Sequence, residues 1–292
     1  MWPRMPAMPA VRGRAAAFGP AAGGGPVVCQ FYRNPVPCPA PAGSGSQYRP
    51  GASPPFRVEP LPAKITVGQV AAFMEEAGLR HAAVQCVPGK DGAVGARRSE
   101  LPEPHRRQND VFLGVAGDEP APVSLRLPSA GVTAVLGNPG SGKSNTLLAL
   151  AALNPAQQWC TSPMAAEAAG DFWKNLLAEA EGGGLPRKTV LLVDDVDQLA
   201  LPGLRALEQL NALGHSLIVT AAYSPMLFQR VPLVMNARAA GAGLLLGPRS
   251  MADGDLFGVR FDVEDNPPPG RGVLISGGRS CPLQVAWSGA SA

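Results

Sequence analysis

Eight consecutive residues near the middle of the chain, Gly137-Asn138-Pro139-Gly140-Ser141-Gly142-Lys143-Ser144, fit the pattern G-x-x-x-x-G-K-[ST] without a mismatch. Their flanks give the string its meaning. An apolar run at 132–136 reads as a buried strand, and an apolar helix over 143–153 follows, stopped by Asn154-Pro155. Glycines let successive backbone N–H groups curl around an anion without Cβ clashes. The helix N-terminus places partial positive charge beneath them. Strand, glycine-rich loop and helix in that order form a phosphate cradle. Lys143 is predicted to reach the β- and γ-phosphates of ATP, and the Ser144 hydroxyl to ligate Mg²⁺. Asn145, the next residue of the helix, is counted with Gly137 to Ser144 as nucleotide-binding.

Such a cradle needs acids nearby. Thr189-Val190-Leu191-Leu192-Val193-Asp194-Asp195 is an apolar run ending in two carboxylates. A buried strand of this kind places its tip beside the metal, so Asp194 is predicted to hold Mg²⁺ through water. Asp195 is predicted to orient or deprotonate the attacking water, which makes Asp195 and Lys143 the catalytic pair. An aspartate reaches one methylene less far than a glutamate. Thr220 ends another apolar strand, 217–220. Its hydroxyl either contacts the γ-phosphate or its water, or satisfies backbone at the strand end. Arg230, Arg238 and Arg249 are candidates for an arginine finger, and none is singled out. Ile275-Ser276-Gly277-Gly278-Arg279 has the letters of an ABC-transporter signature, but it follows the Asp-tipped strand instead of preceding it. It lies between apolar runs at 273–275 and 283–285 and reads as a hairpin turn. His81, His105 and His215 form no set with a nucleophile.

The surrounding pattern alternates. Helices are predicted at 165–180, 202–213 and 225–239, and strands at 190–193, 217–220 and 244–246. Strands alternating with helices imply an α/β fold with a mostly parallel sheet covered on both faces. Two more strands, 111–115 and 123–127, precede the cradle. Upstream, Thr66 and Gln69 form a capping box that opens a helix over 67–77, closed by Gly78. A short strand at 82–87 and a polar, solvated loop at 90–110 follow. Residues 1–62 hold many of the chain's 32 prolines and 35 glycines, and 34–55 lack apolar periodicity, so they read as linker or disorder. Within them, 12–18 and 27–31 read as two short strands. The expected division is 1–62, a connecting region 63–109, and an ATPase domain 110–288.

A formal net charge of +3 creates no strong field for nucleic acid or an anionic membrane. The five cysteines, Cys29, Cys38, Cys86, Cys160 and Cys281, show no metal-ligand spacing and suit a reducing cytosol. The N-terminal residues lack an apolar signal region, and no stretch approaches the ~20 apolar residues of a spanning helix. The expectation is a cytoplasmic chain without direct membrane insertion, brought to any membrane by partners.

On these residues the chain resembles ATPase domains of the FtsK/SpoIIIE class, and more narrowly the last ATPase module of the EccC/EssC motors of type VII secretion. The resemblance is carried by Val111-Phe112-Leu113-Gly114-Val115 with Pro122-Val123-Ser124-Leu125, by Leu191 to Leu199, and by the closing Pro268-Pro269-Gly270-Arg271-Gly272-Val273-Leu274-Ile275 with Pro282-Leu283-Gln284-Val285-Ala286-Trp287. It implies a RecA-like P-loop NTPase fold, assembly into a homo-oligomeric ring or with other ATPase modules, and ATP-driven movement of a secreted protein or of DNA. Two departures weigh against DNA: the stretch 154–188 is shorter than in DNA motors, and no winged-helix domain follows Trp287. A third reading is a regulatory module that binds nucleotide without turnover. The closing segment also has a parallel near the start. Arg12-Gly13-Arg14-Ala15-Ala16 with Val27-Val28-Cys29-Gln30 resembles Gly270 to Leu274 with Pro282 to Val285. This marks either the tail of a preceding module or a coincidence of a Gly/Ala-rich segment.

Overall fold

The computed structural model describes residues 14–17, 27–30, 59–76, 109–163, 166–224 and 226–289. They belong to two units, residues 1–60 and residues 61–292. The predicted strand at 82–87 and most of the polar loop lie outside the described residues, as does the segment 34–55.

In the first unit, β1 (Arg14–Ala17) and β2 (Val27–Gln30) pair antiparallel, Arg14 opposite Gln30 and Ala17 opposite Val27. Both strands fall where the sequence places them.

The second unit opens with α1 (Val67–Glu76). Its capping box forms as expected: the Thr66 N–H donates to Gln69 Oε1 at 2.9 Å, and the Gln69 N–H to Thr66 Oγ1 at 3.2 Å. There follow β3 (Asp110–Ala116), β4 (Ala121–Arg126), β5 (Val132–Gly137), α2 (Lys143–Leu153), β6 (Trp159–Thr161), α3 (Ala166–Glu181), β7 (Val190–Val193), α4 (Leu201–Ala212) and β8 (Ser216–Ala221). The chain closes with α5 (Leu227–Arg230), α6 (Val234–Ala240), β9 (Ala242–Leu246), β10 (Arg271–Ser276) and β11 (Arg279–Val285). These strands make one nine-stranded sheet in the order β4-β3-β11-β10-β9-β5-β8-β7-β6. The half from β9 to β6 is parallel. The other half is an antiparallel extension in which β10 and β11 sit between β9 and the β3–β4 hairpin.

Period-two alternation covers both faces. Ala134, Leu191, Val193, Leu217 and Val219 share one core with Trp173 of α3, Leu207 of α4 and Val234 of α6. Val135, Val190, Leu192 and Ile218 point the other way, into a second core with Leu147 and Leu150 of α2 and Val70 of α1. Helices on both faces were expected, and the strands alternate accordingly.

One predicted helix is broken. In place of a single helix over 225–239 there are α5 and α6, separated at Val231-Pro232. Proline has no N–H to continue the ladder and crowds the residue before it out of helical geometry. Val231 accordingly sits at φ −131°, ψ 78°. The stop after α2 is built from a side chain. Asn154, 1% exposed, accepts from the Phe112 N–H at 2.9 Å and donates to the Phe112 and Leu150 carbonyls at 2.8 Å each. The end of α2 is thereby bonded to β3.

Candidate functional site

At Gly137 the chain leaves the sheet, with β8 and β9 on either side of β5. A side chain is crowded there, because a Cβ would lie 2.2 Å from Ser141 Oγ and 3.0 Å from Leu246 Cβ. The loop then closes on itself, the Ser141 N–H donating to the Asn138 carbonyl at 3.1 Å. Gly142 stands at the head of α2 with φ 101°, a backbone that L side chains rarely adopt, and no side chain caps that helix. The first-turn N–H groups of an eleven-residue helix are thus left for an anion. Gly137 to Ser144 make up this loop and the first residues of α2, and Ser144 is half-buried.

Lys143 lies over the cradle. Its Nζ donates to the Gly137 carbonyl at 3.2 Å and stands 3.4 Å from Asp195 Oδ1. The lysine side chain is 11% exposed, beneath an aspartate that is 50% exposed. Asp194 and Asp195 follow the last residue of β7, and β8 is the neighbouring strand, with Val193 opposite Val219. The Thr220 hydroxyl, buried one residue beyond that pair, donates to Asp194 Oδ1 at 2.5 Å and accepts the Asp195 N–H at 2.7 Å. The hydroxyl thus meets a backbone N–H at the strand end and also bridges the two strand tips. Asp195 turns into the left-handed region, φ 42° and ψ 56°, to reach Lys143. Burial raises its pKa above the ordinary carboxylate value; the Lys143 charge opposes this, and Asp194 adds to the rise.

Asn145 goes elsewhere. Its Nδ2 donates to the Ala286 carbonyl at 2.9 Å, and its Oδ1 accepts from the Ser288 N–H and hydroxyl at 2.9 and 3.0 Å. It ties the first turn of α2 to the segment after β11. Among the arginines, Arg230 donates to the Asp197 carbonyl at 3.0 Å, and Arg238 lies in the last turn of α6. Arg249 shares a pocket of about 510 Å³ with Asn138 to Ser141 on one wall and 263–269 on the other. The Gly277-Gly278 turn, with φ 57° and 76°, joins β10 to β11 at the end of β10 away from the cradle, as the hairpin reading required.

The sequence reading gave no site role to the loop before β10. The Gly270 N–H donates to the Ser141 carbonyl at 2.9 Å, so the closing motif supports the cradle from below. Gln284, 1% exposed, holds that loop by donating to the Pro269 carbonyl at 2.9 Å, and accepts from Arg271 Nε at 3.1 Å. Arg271 also bonds Glu264 at 2.9 Å and the carbonyls of Leu61 and Pro62 at 3.0 and 3.2 Å. The only sequence signal was the motif itself.

No family model matches the chain. No curated protein matches it either. Solved structures do. One, described only as an ATPase, superimposes with a TM-score of 0.52 at 18% identity, covering 78% of this chain and 97% of that one. The cytoplasmic domain of the Thermomonospora curvata type VII secretion ATPase EccC gives 0.50 at 17% identity, covering 82% of this chain and 29% of its own length. The cytoplasmic domain of EssC gives 0.49 at 13%, covering 81% and 50%. The chain thus spans less than a third of the EccC domain. At these identities the likeness is one of fold: the chain shares its fold with that ATPase structure and with part of the EccC cytoplasmic domain.

Proposed function

We propose that the chain is an ATP-binding and ATP-hydrolysing motor module that works in type VII-like protein secretion, alongside other ATPase modules or further copies of itself. One observation carries the nucleotide reading. An uncapped helix N-terminus, a lysine ammonium and the strand-tip carboxylate of Asp195 meet at a single glycine-rich loop, and Asp194 is the neighbouring residue of that strand tip. The loop and helix dipole bind the phosphate tail, and Lys143 neutralises its outer oxygens. A hydroxyl and a carboxylate, from Ser144 and Asp194, are hard oxygen donors of the kind Mg²⁺ takes. Asp194 Oδ1 is already bonded by Thr220, which leaves Oδ2 for the ion or its water. Among the described residues no group of three His, Cys, Asp or Glu could hold a metal, so phosphates and water would complete its shell. Bound Mg²⁺ supplies charge that offsets the negative charge building on the leaving phosphate oxygens. Asp195 holds and orients the attacking water.

The secretion assignment draws on the EccC-like fold and on the small net charge of +3. Among the described residues no helix is long and apolar enough to cross a membrane, so contact with one would run through partners. The pairing of Arg14 with Gln30 repeats that of Arg271 with Gln284. It supports reading residues 12–31 as the closing hairpin of a preceding module.

The test is phosphate release from MgATP by the full chain and by Lys143→Ala, with and without duplex DNA at low and moderate salt. The proposal expects turnover that Lys143→Ala abolishes and DNA leaves unchanged. A several-fold, salt-sensitive stimulation would make DNA the cargo. Tight ATP binding with no turnover would leave a regulatory module.

A further inference from the structure

The position of Lys143 has a consequence for nucleotide entry. A P-loop lysine works on the β- and γ-phosphates, yet here its ammonium is engaged twice, by the Gly137 carbonyl and by Asp195. Asp195 is the more exposed partner and lies over the lysine. Its reach is imposed by the backbone, since φ 42° at a non-glycine residue is strained, and strain of that kind persists only where surroundings enforce it. The enforcement is visible. The Asp195 N–H is fixed to Thr220 Oγ1, and the next residue, Val196, is fully buried.

We infer that Asp195 is a built-in stand-in for phosphate: in the nucleotide-free module its carboxylate occupies Lys143 and must be displaced before the lysine can serve ATP. This rests on the nucleotide-site reading above and adds a second task to a residue already given water. The two tasks are consecutive. Released from Lys143 by the phosphate tail, the carboxylate becomes available for water. The gate opposes binding by the worth of one ion pair.

The experiment is calorimetry of ATP in EDTA, so that no metal contributes, with wild type, Asp195→Asn, Asp197→Asn and Lys143→Ala. Asparagine is isosteric with aspartate and tolerates the left-handed backbone at least as well. Asp195→Asn should bind ATP about three- to five-fold more tightly, the change expected for one partly exposed ion pair. Asp197→Asn removes a half-buried charge two residues away, bonded to Gln198 rather than to Lys143, and should change affinity less than about two-fold. Reductive methylation of the nucleotide-free protein, read at Lys143 by mass spectrometry, should be faster in Asp195→Asn and unchanged in Asp197→Asn. Wild-type binding with unchanged or weaker binding by Asp195→Asn overturns the gate alone. Equal tightening by both asparagine variants, or equal labelling of Lys143, overturns it too. No binding by any variant overturns the nucleotide site and the gate together.

Discussion

Thr220→Val removes one hydroxyl while preserving shape, at a position that is fully buried. That hydroxyl gives its proton to Asp194 and its lone pair to the Asp195 N–H. A hydrogen bond to a charged group contributes about 1.5–3 kcal/mol and a neutral one about 1 kcal/mol. Both aspartates are only partly buried, so water recovers part of the loss, and the expected cost in stability is about 1–2 kcal/mol. For a module of this size that is roughly 2–8 °C in Tm. The functional cost is larger. Without the bridge Asp194 loses its fixed rotamer, and the Asp195 backbone loses the bond that holds it left-handed. We expect kcat for MgATP to fall about ten-fold or more, as when a positioning contact is lost. The Kd for ATP in EDTA should not weaken, because Thr220 bonds neither the loop nor Lys143, and should tighten by no more than about three- to five-fold, the worth of the Asp195–Lys143 pair that the lost bond loosens. Thr220→Ser keeps the hydroxyl and should recover most of the rate. Stopped turnover, equilibrium binding and thermal melts on the three proteins decide it. A valine variant with wild-type kcat, or a serine variant as slow as valine, refutes the bridging role.

Three further outcomes follow from the geometry. Gly137→Ala places a Cβ 2.2 Å from Ser141 Oγ, 3.0 Å from Leu246 Cβ and 3.2 Å from the Leu246 carbonyl, so the serine hydroxyl must swing away and the loop must shift from β9; ATP binding measured by calorimetry should fall several-fold while the far-UV spectrum stays native. Asn145→Ala removes three hydrogen bonds to Ala286 and Ser288; urea unfolding should show a loss of about 1–3 kcal/mol, with ATP affinity little changed. His215 is 2% exposed and burial lowers its pKa below 6.5, against a hydrogen bond to the Thr189 backbone that raises it. The unfolded chain therefore binds a proton near pH 6.5 that the folded chain refuses, so the contribution is complete above that pH and is lost as pH falls below it. The drop in urea midpoint between pH 7.5 and pH 5.5 should be smaller for His215→Leu than for wild type, and an equal drop would refute it.

The site was legible where its information is local. The cradle spells out its glycines, lysine and serine in sequence, and the apolar run before Asp194 could only be a buried strand. What was not legible is directional or remote. The residue type of Thr220 fits either a phosphate contact or a strand-end bond, and only the neighbouring tip of β7 decides where its proton goes. Asn145 looks like part of the cradle, yet its partners lie more than 140 residues away. Gly270 carries a motif without announcing that it donates to Ser141. β6 escaped notice because three residues, Trp159–Thr161, have no readable period and become a strand only against the open side of β7. The break between α5 and α6 was readable, since Pro232 lies inside the apolar pattern that suggested a single helix.

The two ends of the sheet bear on how the protein behaves at high concentration. An open sheet ends in unpaired amides and carbonyls that invite a strand from another molecule. Here one end is β6, only three residues long, followed closely by Pro163. The other is β4, which carries Pro122 opposite Val115 and so lacks one N–H along its length. Neither border offers a long, regular row of donors and acceptors. Copies of the chain that meet side by side therefore find little template, among the described residues, for joining their sheets into a fibre, and the fold resists amyloid-like strand addition at both borders.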